Sequence, residues 1–255
     1  MTDPRSKRLR MIAGPNGSGK SSIVRGLSKE GSPTGLFSLN HYLNADDVAG
    51  YISGDGLNIS DFGIDVTLAE LSRSIIDGGR LPAEHPFLLE ARLDHLTLTA
   101  PRDACDGYAA AAVVDFIRER LMVHGKSMSF ETVMSHPSKI EFFARARTAG
   151  YKTYLYFICL DSVELNVLRV QSRVRRGGHD VPEDKIRERY SRCLDLVGSA
   201  VVHCYRSYFF DNSGPKHIWL AECDSRGTCH LQVDQSKLPS WFQTSWFKKV
   251  VHIGE

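Results

Sequence analysis

The chain has 255 residues and carries 32 Lys and Arg against 30 Asp and Glu, a formal net charge of +2. So balanced a charge argues against a dedicated DNA binder, which shows a strong basic excess. No apolar run reaches the roughly 18 residues of a membrane-spanning helix. The length suits one large domain, or one domain with an insertion, and is ample for a substantial core.

Residues 8–13, RLRMIA, read as a short strand. They run into IAGPNGSGKSS, residues 12–22, in which Gly14, Gly19, Lys20 and Ser21 have the spacing G-x-x-x-x-G-K-[ST] and Gly17 lies between them. That spacing suits phosphate: glycines let backbone N–H groups turn into a concave nest, and the helix after it aims its positive dipole end at the same place. Lys20 is placed to reach the β- and γ-phosphates, and the Ser21 hydroxyl to ligate Mg²⁺. The strand before and the helix after, KSSIVRGLSKEG closed by Gly31, are the context the mechanism requires. Gly14, Asn16, Gly17, Ser18, Gly19, Lys20, Ser21 and Ser22 are therefore the expected nucleotide-binding residues.

HYLNADD, residues 41–47, reads as a second strand ending in two carboxylates. Functional groups gather at the carboxyl ends of strands in such sheets. Phosphoryl transfer to an alcohol needs a carboxylate to take the hydroxyl proton; Asp46 is the candidate base. The plainer alternative for Asp46 and Asp47 is helix capping. Residues 52–104 stand apart, with the amphipathic IDVTLAELSRSIIDGG and a Pro-rich, His-containing stretch; they read as an insertion packed on the core. From 105 to 124 the pattern is helical, with Ala109, Val113, Phe116, Ile117 and Leu121 on one face.

SMSFET, residues 127–132, reads as a third strand, ending on Glu131, which would hold Mg²⁺ through water, orient the acceptor or form a supporting ion pair. A helix follows from Ser135 and Pro137 to Gly150. TYLYFICL, residues 153–160, is the strongest strand signal, and Asp161 with Glu164 suggests a capping box for the next helix. In RVQSRVRRGGHDVP, residues 169–182, Arg169, Arg173, Arg175 and Arg176 crowd within eight positions. Like charges so close repel unless a counter-charge such as triphosphate arrives. A mobile basic lid over ATP fits; the other reading is a solvated basic face. His179 would be a lid contact or a cap. Pro182 opens a long helix with Ile186, Tyr190, Leu194, Val197 and Val201 inward. SYFFDNS is a fifth strand, and HIWLAEC with CHLQVDQ forms a C-terminal hairpin.

Cysteines 105, 159, 193, 204, 223 and 229 read as buried, reduced thiols. Cys223, Cys229 and His230 lack common zinc spacing and read as two strands around a Ser-Arg-Gly turn. The N-terminus lacks the apolar region of a signal peptide, so a cytoplasmic protein is expected. Strands alternating with helices predict an α/β fold, a parallel sheet with helices on both faces.

The blocks AGPNGSGKSS, LNADDVA, SFETVMSH, AGYKTYLYFICLDSVELNVLRVQSRVRRGGHDVPEDKIRERY and FFDNSG resemble, in order and spacing, the zeta-toxin-like P-loop kinases, over about residues 8–51 and 105–215. The resemblance implies an adenylate-kinase-like P-loop NTPase core of strand order 2-3-1-4-5. It also implies ATP-dependent phosphorylation of a hydroxyl on a nucleotide sugar; the family's best-known acceptor is UDP-N-acetylglucosamine, at its 3′-hydroxyl. Lys20 and Ser21 match the phosphate and Mg²⁺ contacts, Asp46 the catalytic base and Glu131 the substrate-holding glutamate. Arg169 and Arg173 match the phosphate-binding arginines, with Arg176 in the same lid. Asp211, Asn212 and Ser213 fall where related kinases pass the adenine ring. Thr132 and Val133 stand where the prototype has Gly-Thr, a departure from the family's pattern at its threonine sugar contact; Thr132 is kept among the candidate substrate-binding residues. The segment 52–104 has no counterpart and begins where an acceptor-binding cap would attach. A protein antitoxin is a possible partner. Two rivals are a kinase of another nucleotide, dinucleotide or RNA end, and a nucleotide-gated interaction protein using 52–104 and the aromatic cluster Trp241, Phe242, Trp246 and Phe247.

Overall fold

A computed structural model describes residues 6–30, 39–226, 228–243 and 252–253. It divides into two compact units, Met1–Leu39 with Ser129–Glu255, and Asn40–Met128. Among the described residues, no helix is long and apolar enough to cross a membrane.

The first strand, β1 (Arg8–Ala13), is buried from Leu9 onward and leads through the glycine loop into α1 (Lys20–Glu30). The second unit begins with β2 (His41–Leu43) and α2 (Ala45–Ile52). Here the expected strand over 41–47 stops early. Asn44 accepts the Asp46 N–H at 2.9 Å and caps a helix, so Asp46 and Asp47 lie in its first turn and not at a strand end. Their negative charge suits the positive end of the helix.

The segment 52–104 contains more than the one helix expected. It holds β3 (Leu57–Asn58), α3 (Leu68–Asp77), the short α4 (Pro86–Glu90), β4 (Arg92–Asp94) and β5 (Thr97–Thr99). The three strands form a small antiparallel sheet in the order β3-β5-β4. Thr67 and Glu70 start α3 with a reciprocal capping box. Then α5 (Gly107–Val123), whose Asp106 cap accepts from Tyr108 and Ala109 N–H, forms the spine of this unit. All five residues of its expected inner face are buried; Asp115 and Arg118 are buried too and paired with each other, and Asp115 also pairs with Arg80.

The remaining elements are β6 (Met128–Thr132), α6 (Ser138–Thr148), β7 (Lys152–Cys159), α7 (Val163–Val174), α8 (Glu183–Val201), β8 (Arg206–Asp211), β9 (Ile218–Asp224), β10 (Thr228–Leu231), α9 (Ser240–Phe242) and β11 (His252–Ile253). The sheet of the first unit runs β11-β10-β9-β8-β7-β1-β6. Strand β7 is parallel to both β1 and β8, with Arg10 opposite Tyr154 and Tyr156 opposite Tyr208. In the numbering of the expected order, this unit holds 3-1-4-5, the part that falls within it. The buried run Leu155–Cys159 reads as continuous apolar sequence because helices flank the sheet.

The antiparallel β9–β10 hairpin is present as expected. It corrects the cysteine expectation: Cys223 and Cys229 face each other in register and are joined as a disulfide, while Cys105, Cys159, Cys193 and Cys204 are free and buried. A second correction concerns α7. Ser162, not Asp161, is its cap, accepting from Leu165 N–H at 3.4 Å. Asp161 instead accepts from the Ser240 N–H and hydroxyl, and Glu164 pairs with Arg187. On α8, Ile186, Val197 and Val201 are buried as expected, but Cys193 is buried where Leu194 was expected.

Candidate active site

The glycine loop between β1 and α1 is tied to its surroundings at every turn. Gly14 N–H donates to the Thr132 carbonyl at 3.3 Å, and Ser18 N–H to Pro15 at 3.2 Å. Lys20 folds back over the loop, its Nζ donating to the carbonyls of Gly14 at 2.8 Å and Pro15 at 3.1 Å. Ser21 and Ser22 open α1, with Ser22 N–H on the Gly19 carbonyl at 3.1 Å.

Glu131 is brought to the foot of this loop. The Ser21 hydroxyl donates to Glu131 Oε2 at 2.9 Å, although the two are 110 positions apart. Beyond Glu131 the chain turns sharply. Met134 is buried in the left-handed region (φ 58°), its N–H held by Thr132 Oγ1 at 3.2 Å. A side-chain-bearing residue there costs about 1–2 kcal/mol. Thr132 thus spends both its carbonyl and its hydroxyl on backbone donors.

A hydroxyl and a carboxylate oxygen side by side are the hard donors that Mg²⁺ prefers, and the set fits an ion that keeps several waters.

Arg169 and Asn212 also meet the loop. Asn212 directly follows β8, and its Nδ2 donates to the Ser18 carbonyl at 2.8 Å. Its own carbonyl accepts from Arg169 Nη2 at 2.7 Å. Sequence reasoning missed Asn166, whose Nδ2 donates to the Asn16 carbonyl at 2.6 Å. A polar residue on the otherwise apolar face of α7 was the available signal. Further out, Arg173 donates to the His179 carbonyl at 2.7 Å and Arg176 to the Ser172 carbonyl at 3.2 Å, so both contact the 169–182 segment itself. Val181 anchors the far end of that segment against Val167, Val170 and Ile186.

Asp211 does not point at the loop. It accepts from Ser213 and from the indole N–H of Trp241, while Ser213 Oγ accepts from Asp161 N–H. Trp241 and Phe242 are buried against Phe157 and Phe209, so they serve the core of their own unit. Trp246 and Phe247 lie outside the described residues. Asp46 is exposed, in the first turn of α2 in the second unit.

A helix-flanked, mostly parallel sheet with the glycine loop between its first strand and first helix defines the P-loop α/β class. Among solved structures, the chain is similar to one from the AvrRxo1-ORF1:ORF2 complex with ATP, at TM-score 0.54 and 12% identity over 98% of this chain and 66% of that one. It is also similar to one from the AvrRxo1-ORF1:AvrRxo1-ORF2 complex with sulphate ions, at TM-score 0.53 and 13% identity over 89% of this chain and 61% of that one. The chain thus spans under two thirds of the length of these structures, and at such identity the likeness is one of fold. It is 35% identical over 60 residues to an uncharacterized protein of Haemophilus influenzae, covering 24% of this chain and 43% of that protein. No protein-family model matches the chain.

Proposed function

We propose that the protein is an ATP-dependent phosphotransferase acting on an alcohol, with a nucleotide sugar of the UDP-N-acetylglucosamine kind as acceptor. What supports the reading most directly is the pairing of Ser21 with Glu131 at the phosphate loop, two oxygen donors suited to Mg²⁺ next to a lysine. Loop N–H groups and Lys20 would hold the triphosphate, and Ser21 and Glu131 the ion. Mg²⁺ bound there would offset charge on the phosphates.

Asp46 is the proposed base. It would take the acceptor's hydroxyl proton as the new O–P bond forms and the bond from the γ-phosphorus to the bridging oxygen breaks, releasing ADP. Arg173 and Arg176 would stabilise charge on the transferred group once the 169–182 lid closes, and closure would exclude water, the competing acceptor. Thr132 and the segment 52–104 would contact the acceptor. Two solved structures that this chain resembles come from ORF1:ORF2 complexes, which supports a protein antitoxin as partner.

The test is mass spectrometry of metabolites from cells expressing the wild type, Lys20→Ala or Asp46→Asn. A phosphorylated nucleotide sugar seen only with the wild type is expected. A different wild-type-specific phosphorylated species would keep the reaction class and replace the acceptor. Identical profiles in all three would remove the enzyme reading.

A further inference from the structure

Two side-chain amides grip alternate carbonyls of the phosphate loop. Asn166, fully buried in the first turn of α7, donates from Nδ2 to the Asn16 carbonyl at 2.6 Å. Asn212 donates from Nδ2 to the Ser18 carbonyl at 2.8 Å. The Asn212 backbone is itself held on both sides. The backbone N–H of Asn212 donates to the Cys159 carbonyl at 3.0 Å, continuing the β7–β8 ladder, and its backbone oxygen accepts from Arg169 at 2.7 Å. The loop has glycine where these groups press closest. At Gly17 (φ 78°) a Cβ would lie 2.6 Å from the Asn166 carbonyl oxygen, and at Gly19 (φ 88°) it would overlap the Asn212 amide nitrogen.

The consequence follows from peptide geometry. In a planar trans peptide the C=O and the next residue's N–H point in opposite directions. Holding the Asn16 oxygen toward α7 turns the Gly17 N–H away from α7, and holding the Ser18 oxygen toward Asn212 turns the Gly19 N–H away from Asn212. A nest binds anions through successive N–H groups turned to one side, and donors fixed beforehand need no reorganisation when charge arrives. We infer that Asn166 and Asn212 are positioning residues that preset the Gly17 and Gly19 donors for polyphosphate, and that Arg169 acts through Asn212. This rests on the ATP reading above and reassigns Asn212 from the adenine to the loop.

The experiment is calorimetric titration of wild type, Asn166→Ala, Asn212→Ala, Arg169→Ala and the Arg169/Asn212 double variant with Mg·ATP and, separately, with inorganic tripolyphosphate. A lost amide-to-carbonyl bond predicts affinity falling about tenfold. The fall should be the same for both ligands, because the fault lies in the phosphate cradle. The double variant should bind as Asn212→Ala does, since the two residues form one chain of contacts. A fall for ATP with unchanged tripolyphosphate affinity would overturn the inference and return Asn212 to the base. Losses that multiply in the double variant would overturn Arg169's indirect role. A wild type that binds both ligands alongside variants that match it would sink the inference alone, whereas a wild type that binds neither would sink the functional reading with it. Asn212→Asp replaces the donor with an acceptor at constant shape, and its thermal midpoint shows whether folding is intact.

Discussion

The Cys193 thiol is fully buried and donates to the Val133 carbonyl at 2.9 Å, one residue past Thr132. Burial pushes it up to about 12, and the same cause pushes Cys204 to about 12 from an ordinary thiol value of 9.0. Cys159 is shifted upward as well, first by burial and then by Cys193 beside it. An unfolded thiol ionises near pH 9 and a folded one much later, so the unfolded chain binds fewer protons between the two values. The stability these neutral thiols contribute is complete below pH 9 and drains away as pH rises through about 12. Denaturant midpoints measured from pH 8 to 11 should be level at first and then fall, with a shallower fall in Cys193→Ala. A midpoint that rises with alkaline pH would contradict this. At the same scale, Lys20, Ser21 and Glu131 could be singled out as candidates from residue type, spacing and strand-end position, and the structure brings them to one loop. Sequence did not reveal Asn166, because an amide's role depends on which carbonyl it meets in space.

Among elements, α5 carries the clearest energetic commitment of the second unit. Asp115 accepts from Arg80 at 2.8 Å and Arg118 at 3.1 Å, with Arg118 only 1% exposed. Removing one partner of a buried pair leaves an uncompensated charge and costs about 3–5 kcal/mol. Asp115→Ala should therefore lower unfolding stability by about that much in denaturant titration, while Asp115→Leu with Arg118→Met should recover part of it. Most strands and long helices were legible because apolar periodicity survives without tertiary information: RLRMIA, TYLYFICL and the 183–201 helix fall within a residue or two of their expected places. The misses are local contests. Asn44 and Ser162 won the cap positions from neighbouring aspartates, since Asn, Ser and Asp are near-equal caps and only geometry decides among them. The small β3-β5-β4 sheet was missed because its strands are two or three residues long, too short for alternation to show.

For the whole molecule, the parallel sheet and its loop were readable from the order of strand and helix patterns. The division into units 1–39 with 129–255 and 40–128 was not, because it depends on which contacts the segment 52–104 makes. The disulfide between Cys223 and Cys229 was hidden because the hairpin was legible but its register was not, and the two thiols meet only with Cys223 directly opposite Cys229. The proposed function stands on the glycine loop binding triphosphate with an ion held by Ser21 and Glu131. Calorimetry of ATP across a magnesium series measures this directly for the wild type, Lys20→Ala and Glu131→Gln. Binding that tightens with Mg²⁺ in the wild type, weakens at least tenfold in Lys20→Ala and loses its magnesium dependence in Glu131→Gln is the expected result. ATP affinity indifferent to magnesium and equal in all three proteins would contradict it.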